Sequence, residues 1–324
     1  MKALVRYSVA SLALFAAAGQ VSAPTAAYPS KPVHIIIPAG AGGAVDTIAR
    51  YIGQKLTVSL KQPMVMDNRP GAGTRVGSEL TAKAPPDGYT LLTLTDSHAI
   101  NGGLQKDLPY HPVNDFAPIA LIATTPYLVV VHPSLPVRTV KELIALASRR
   151  PGELHFASAG TGSGTHLAFE LFQLKAKIKV VHVPYKSGSA AVIDVAGGQV
   201  DMYMSNTINV EPFIKSGRLR ALAIATAKRL PIYPDLPTVD EAGLPGYTAE
   251  AWYAMMAPAK TPADIITKLN REVLAILREN DAKERLGTLG AVIIGSTPEE
   301  FGNVLRRDVK KWQDLASVLN LKLD

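Results

Sequence analysis

Val33-His34-Ile35-Ile36-Ile37 runs without a break into Pro38-Ala39-Gly40-Ala41-Gly42-Gly43-Ala44, after which Val45, Ile48, Ala49, Ile52 and Leu56 follow. The first run is short and almost wholly apolar, as a strand covered on both faces must be. The last five residues share one face of a helix. Strand, glycine-rich loop and helix in that order open a parallel α/β unit. Outward from it the alternation continues, with a strand near Met64-Met66, a helix near Val76-Ala82, the turn Asp87-Gly88 and a strand at Thr90-Leu94.

A second series begins after Pro126. Tyr127-Val131, Leu154-Phe156, Val180-Val183, Val200-Met204 and Leu219-Ala225 read as strands with short helices between them. Thr139 and Glu142 have the spacing of a capping box. Thr261-Pro262 and Thr297-Pro298 each place an N-cap before a proline suited to the first helical turn. The strand-rich stretch Ala249-Ala257 and the helices after it return the chain to the first unit. Two α/β lobes joined by two crossings and enclosing a cleft are therefore expected.

The 324 residues carry no cysteine, 34 Lys+Arg and 27 Asp+Glu. The absence of thiols excludes disulfide scaffolds, thiolate metal sites and cysteine nucleophiles, and a lipidated N-terminal cysteine with them. The basic residues are spread along the chain without interleaved aromatics, so nucleic acid is not an expected partner. Met1 to Ala27 reads as a secretory signal: Lys2 and Arg6, then an apolar run from Ser8 to Ala18, then small residues at Val21-Ser22-Ala23. Its removal lowers the formal charge of +7 by two, leaving a modest bias towards anionic ligands.

Two glycine loops stand where a strand feeds a helix: Ala39 to Asp46, and Ser158-Ala159-Gly160-Thr161-Gly162-Ser163-Gly164-Thr165-His166. Glycine lets backbone approach a ligand closely, and the free N–H groups of a helix start favour an anion. A third loop, Asn68 to Arg75, is expected at the rim. Nucleotide readings fail, because Thr165 stands where a dinucleotide fingerprint needs its third glycine and no P-loop lysine occurs. The seven histidines lack metal-ligand spacing, so no metal and no cofactor are expected. Ser158 or Ser163 with His166 leaves an exported serine hydrolase as an alternative, although the G-x-S-x-G elbow is absent. Asp46 reads first as a carboxylate that complements its helix dipole and pins its loop. Asp96 reads as a cap, or as a group that recognises a cationic or hydroxyl-bearing part of a ligand.

The chain resembles the Bug-family (TctC-type) substrate-binding proteins of tripartite tricarboxylate transporters. The resemblance rests on Tyr28-Pro29-Ser30-Lys31-Pro32, Asn68-Arg69-Pro70-Gly71-Ala72-Gly73, Pro86-Asp87-Gly88-Tyr89-Thr90, His98-Ala99-Ile100-Asn101, Val183-Pro184-Tyr185-Lys186 and Glu241-Ala242-Gly243-Leu244-Pro245-Gly246-Tyr247. It implies a two-lobed type II periplasmic-binding-protein fold with a central cleft, lobe 1 being 28–123 plus 250–324 and lobe 2 being 124–249. It implies a monomeric periplasmic receptor that binds an organic acid without turnover and delivers it to one large and one small integral membrane subunit. A ligand-loaded sensor docking on a signalling receptor would use the same site. Carried over residue by residue, the site comprises Gly42, Gly43, Ala44 and Asp46 in one loop. The other loop supplies Ser158, Gly160, Thr161, Gly162, Ser163, Thr165 and His166, and Asp96, Ser97, Pro184, Tyr185 and Asn206 form walls. Where the family has an aromatic, two prolines and a Ser-Thr pair, this chain has Ala39, Gly40-Ala41 and Ala44-Val45. A roomier, more apolar cleft is expected, suited to a carboxylate larger than a small dicarboxylic amino acid.

Overall fold

A computed structural model describes residues 28–105, 107–288 and 290–319. The signal segment therefore lies outside the described residues. In chain order the elements of the first half are β1 (Val33–Ile37), α1 (Ala44–Leu60), β2 (Met64–Asn68), α2 (Arg75–Ala82), β3 (Thr90–Thr95), α3 (Asp96–Leu104) and β4 (Phe116–Val131). Then come α4 (Val140–Arg149), β5 (His155–Ser158), α5 (Gly164–Ala176), β6 (Val181–Pro184), α6 (Gly188–Ala196), β7 (Met202–Asn206), α7 (Thr207–Lys215) and β8 (Arg220–Ile224). The chain closes with β9 (Glu250–Pro258), α8 (Ala263–Arg278), α9 (Asn280–Thr288), β10 (Val292–Ile293) and α10 (Pro298–Leu319).

The strands join in the order β2-β1-β3-β9-β4-β7-β5-β6, with β8 and β10 also pairing to β4. This curled sheet has two halves. Parallel β2-β1-β3 meets antiparallel β9 and the first part of β4 in one lobe. In the other, parallel β6-β5-β7 meets the rest of β4, antiparallel to it. The change of lobe falls within β4: Pro126 still pairs with Glu250 of β9, and Tyr127 already pairs with Asn206 of β7. The return crossing lies alongside, where Ala249 donates to Ala225 and accepts from Tyr127 through the backbone.

Strand β4 begins eleven residues before the expected Tyr127, because Pro118 and Pro126 mask a strand whose register shifts accommodate irregular pairing. The capping box at Thr139 forms, the hydroxyl accepting from Glu142 N–H. That at Thr297 forms reciprocally, Glu300 accepting from Thr297 N–H at 2.8 Å. The Thr261 cap does not: its hydroxyl donates to Pro258 O at 2.7 Å, and α8 starts after Pro262. Helix α1 buries the expected face through Val45, Ile48, Ala49, Ile52 and Leu56. Ile52 is fully buried, so Ile52→Ala should lower the unfolding free energy by about 2–5 kcal/mol in urea titrations, by lost transfer energy and a residual cavity.

Candidate functional site

A cleft of about 680 Å³ opens between the lobes. Six helices begin on it: Gly43, Ala44 and Val45 from α1, Thr74 before α2, Asp96 and Ser97 from α3, Gly164 and Thr165 from α5, Ser187 and Gly188 from α6, and Asn206 before α7. The first amides of a helix have no intrahelical acceptor, and the macrodipole adds partial positive charge at the same point. Tyr127 and Tyr253, from the crossing strands β4 and β9, line the floor. The only formally charged side chains among the described lining residues are Asp96 and exposed Lys186. An anion in this cleft is thus met by backbone dipoles rather than by an arginine fork.

The two glycine loops are built alike. Gly42, at φ 78°, donates its N–H to Asp46 Oδ2 at 2.9 Å, and Gly162, at φ 76°, donates its N–H to His166 Nδ1 at 3.2 Å. Each loop is therefore tied four residues ahead to a side chain in the first turn of its helix. Asp46 also receives Asn68 Nδ2 at 2.9 Å and Arg50 Nε at 2.9 Å. Burial pushes the Asp46 carboxyl up, but these hydrogen bonds outweigh it and hold the group below its ordinary value. His166 accepts at Nδ1, which places its proton at Nε2, 3.5 Å from Glu170. Its ring stacks on His182 at 3.9 Å.

The sequence-derived residues divide accordingly. Gly43, Ala44, Asp96, Ser97, Gly160, Thr161, Ser163, Thr165, Pro184, Tyr185 and Asn206 line the cleft. Gly42, Asp46, Ser158, Gly162 and His166 do not; Gly42 is exposed on its loop and the other four stand behind the wall, with the Gly42 and Gly162 amides bonded to Asp46 and His166 and the Ser158 hydroxyl to His182. Several of the site hydroxyls also have partners within the protein, mostly as acceptors that keep their own proton for donation. Ser163 caps His166 N–H, Thr165 accepts from Ala159 N–H, Ser97 accepts from Gly164 N–H across the lobes, and the Tyr185 hydroxyl donates to Asp194. The hydrolase pairing fails on geometry. Ser158 is fully buried and bonds His182 at 2.6 Å, and the acceptor nitrogen of His166 is occupied by the Gly162 amide. No group of His, Asp and Glu able to hold a metal occurs among the described residues.

The third loop lines the cleft through Pro70 to Thr74, and three further features escaped the sequence reading. Tyr127 and Tyr253 sit in apolar strands with no polar signal, whereas Lys186-Ser187-Gly188 is a strand–helix loop of the same kind as the other two. Thr74 lies in the left-handed region at φ 93°, and its hydroxyl, buried on the cleft wall, has no partner among the described residues.

The lobes touch at the mouth, where Ser189 Oγ donates to Ala41 O at 3.3 Å and a Cβ on Gly40 would lie 2.9 Å from Ser187 Cβ. Gly40→Leu should hold the lobes apart, and small-angle scattering should read a larger radius of gyration than for the parent. A second expectation concerns acid. Burial lowers His98 and His182 from 6.5 to about 4, with neighbouring His166 adding to the effect on His182. The unfolded chain takes up protons there that the folded chain refuses, so stability should be lost as pH falls from about 6.5 towards 4. Urea midpoints across that window should fall less in His182→Gln.

A family model described as the tripartite tricarboxylate transporter family receptor matches residues 48–321. Protein BugT of Bordetella pertussis strain Tohama I is 36% identical over 319 residues, covering 97% of this chain and 98% of BugT. Among solved structures, the periplasmic binding protein BugD is 31% identical with a TM-score of 0.87, covering 91% of this chain and 99% of its own. R. palustris Rpa4515 with adipate is 35% identical with a TM-score of 0.86, covering 90% and 97%.

Proposed function

The chain belongs to the tripartite tricarboxylate transporter family of receptors, and from that premise we propose that it captures an organic carboxylate in the periplasm and hands it to membrane-embedded transporter subunits. Its relatives are solute-binding proteins, not enzymes. The observation that carries the ligand class is the ring of helix N-termini from both lobes around a cleft without an arginine. Burial of a carboxylate is costly unless donors replace its water, and amides fixed at helix starts do so without reorganising.

Capture follows as closure of residues 28–123 and 250–324 on residues 124–249, bending where β4 and the strand entering β9 cross. Ala44 and Val45 come from one lobe and Thr161, Thr165 and Gly188 from the other, so the full donor set exists only when the lobes meet. A ligand that touches both favours the closed population. The volume of about 680 Å³ is within the ~300–1,000 Å³ typical of sites for drug-sized ligands, and it favours an acid larger than aspartate. No helix among the described residues is long and apolar enough to cross a membrane, in keeping with a role in which passage belongs to the partner subunits.

The mature chain should be raised in melting temperature by organic acids by mass action. In a thermal-shift panel, adipate- or benzoate-sized acids should stabilise it more than succinate or aspartate. Gly162→Val should remove the shift, because a branched side chain at positive φ displaces the second loop. A panel in which sugars or cations alone stabilise the protein would defeat the carboxylate reading.

A further inference from the structure

Asp96 is an unusual residue for an anion cleft. It is the first residue of α3, lines the lumen, and is only 9% exposed. Its Oδ2 accepts the Tyr127 hydroxyl at 3.1 Å, and Gly164 packs so closely that a Cβ there would overlap both groups. Behind it a second cavity of about 60 Å³ is lined by Tyr127, Glu250, Trp252, Asp308 and Lys311. The groups that face it are Tyr127 from β4, Tyr253 from β9, and Asp308 and Lys311 from α10. Asp308 is itself engaged by Trp252 Nε1 at 2.9 Å. Among the described residues no cation forms an ion pair with Asp96, Lys311 acting on it only at longer range. The floor of the cleft therefore holds a carboxyl group that accepts from the Tyr127 hydroxyl and the Ser97 backbone N–H and keeps capacity for a further donor.

We propose that Asp96 sorts ligands by charge at their inner end: the cleft takes an acid whose far end donates a hydrogen bond or carries positive charge, and disfavours a second ionised carboxylate there. The inference rests on the carboxylate reading above and narrows it to amino or hydroxy acids of extended shape. An ammonium or hydroxyl group reaching the floor satisfies the free acceptor positions of Asp96, whereas a carboxylate meets a like charge in a poorly solvated place. Burial, with Asp308 contributing, raises the Asp96 carboxyl to about 7. Below that pH the group is neutral and can donate to a ligand carboxylate; above it, it is an anion that attracts a cation. The two ligand types should therefore respond to pH in opposite directions.

Adipate and 6-aminohexanoate, matched in chain length, are the probes. Calorimetry on the mature wild-type protein at pH values about one unit below and above 7 should show 6-aminohexanoate tightening and adipate weakening as pH rises. At the higher pH the amino acid should be favoured by about tenfold or more, the ratio given by roughly 1.4 kcal/mol. Asp96→Asn should flatten both pH profiles and reverse the order at the higher pH. The wild-type slopes decide the question even where the variant does not fold. Slopes of the same sign for both acids, or an order of affinity unchanged in Asp96→Asn, overturn the role of Asp96 while leaving the carboxylate reading intact. Absence of binding by both acids in wild type and variant at every pH overturns both readings.

Discussion

The constraint on which the rest depends is that a buried anion must find donors that the protein has not already used. In most folded proteins nearly every buried amide is paired, so spare donors are scarce. Helix geometry supplies the exception, because the first turn leaves N–H groups without an intrahelical acceptor. Six helix starts on one cleft concentrate those groups in a volume of about 680 Å³. The alternation of strand and helix places them there: each strand that runs towards the cleft must turn at its end, and the helix that follows begins at that turn.

Spare donors are useful only if the loops that carry them hold their shape, and the polar side chains near the cleft serve mainly that purpose. Asp46 on Gly42 and His166 on Gly162 are the same device made from different chemistry, a helix-borne acceptor reaching back to the amide of a left-handed glycine. Asn68 bridges Asp46 and Ala39 O, tying β2 to the first loop. Ser158 accepts from Gly160 N–H and bonds His182, tying β6 to the second. The amides spent in this way are those beside the cleft-facing ones. The loops give up part of their donor capacity in exchange for fixed orientation of the remainder.

This division explains what the sequence disclosed and what it withheld. Strand β1, helix α1 and the parallel units were legible because burial on both faces of a strand and on one face of a helix writes itself into residue spacing. The Thr139 and Thr297 caps were legible for a similar reason, since their chemistry is local. Thr261 was not, because α8 takes Pro262 as its N-cap and the Thr261 hydroxyl turns back to donate to Pro258 O. Glycine-rich turns pointed to loops that line the cleft, but the spacing of Ser158, His166 and Asp46 could not say whether their polar atoms faced outwards or back into the loop. That choice depends on His182, Glu170 and Asn68, which other strands and helices bring in. The tyrosines of the floor were hidden altogether, since Tyr127 and Tyr253 read as ordinary strand residues until β4 and β9 are seen to cross between the lobes.

The position of that crossing connects recognition to movement. Tyr127 is the residue at which β4 changes lobe, and its hydroxyl is bound to Asp96 of the opposite lobe. In the proposed closure the lobes turn about a strand whose own side chain is part of the cleft floor. A ligand group that engages Asp96 acts on the bending point itself, while amides near the mouth act at the far end of the lever. Closure by a two-ended ligand is consequently favoured at both ends. A ligand that fills only one end gains only part of the difference between open and closed states, and an equilibrium moves only by that difference. On the proposed reading, discrimination between ligands of similar affinity for one half of the site falls to the second half, where Asp96 lines the cleft with a carboxyl group rather than another ring of amides.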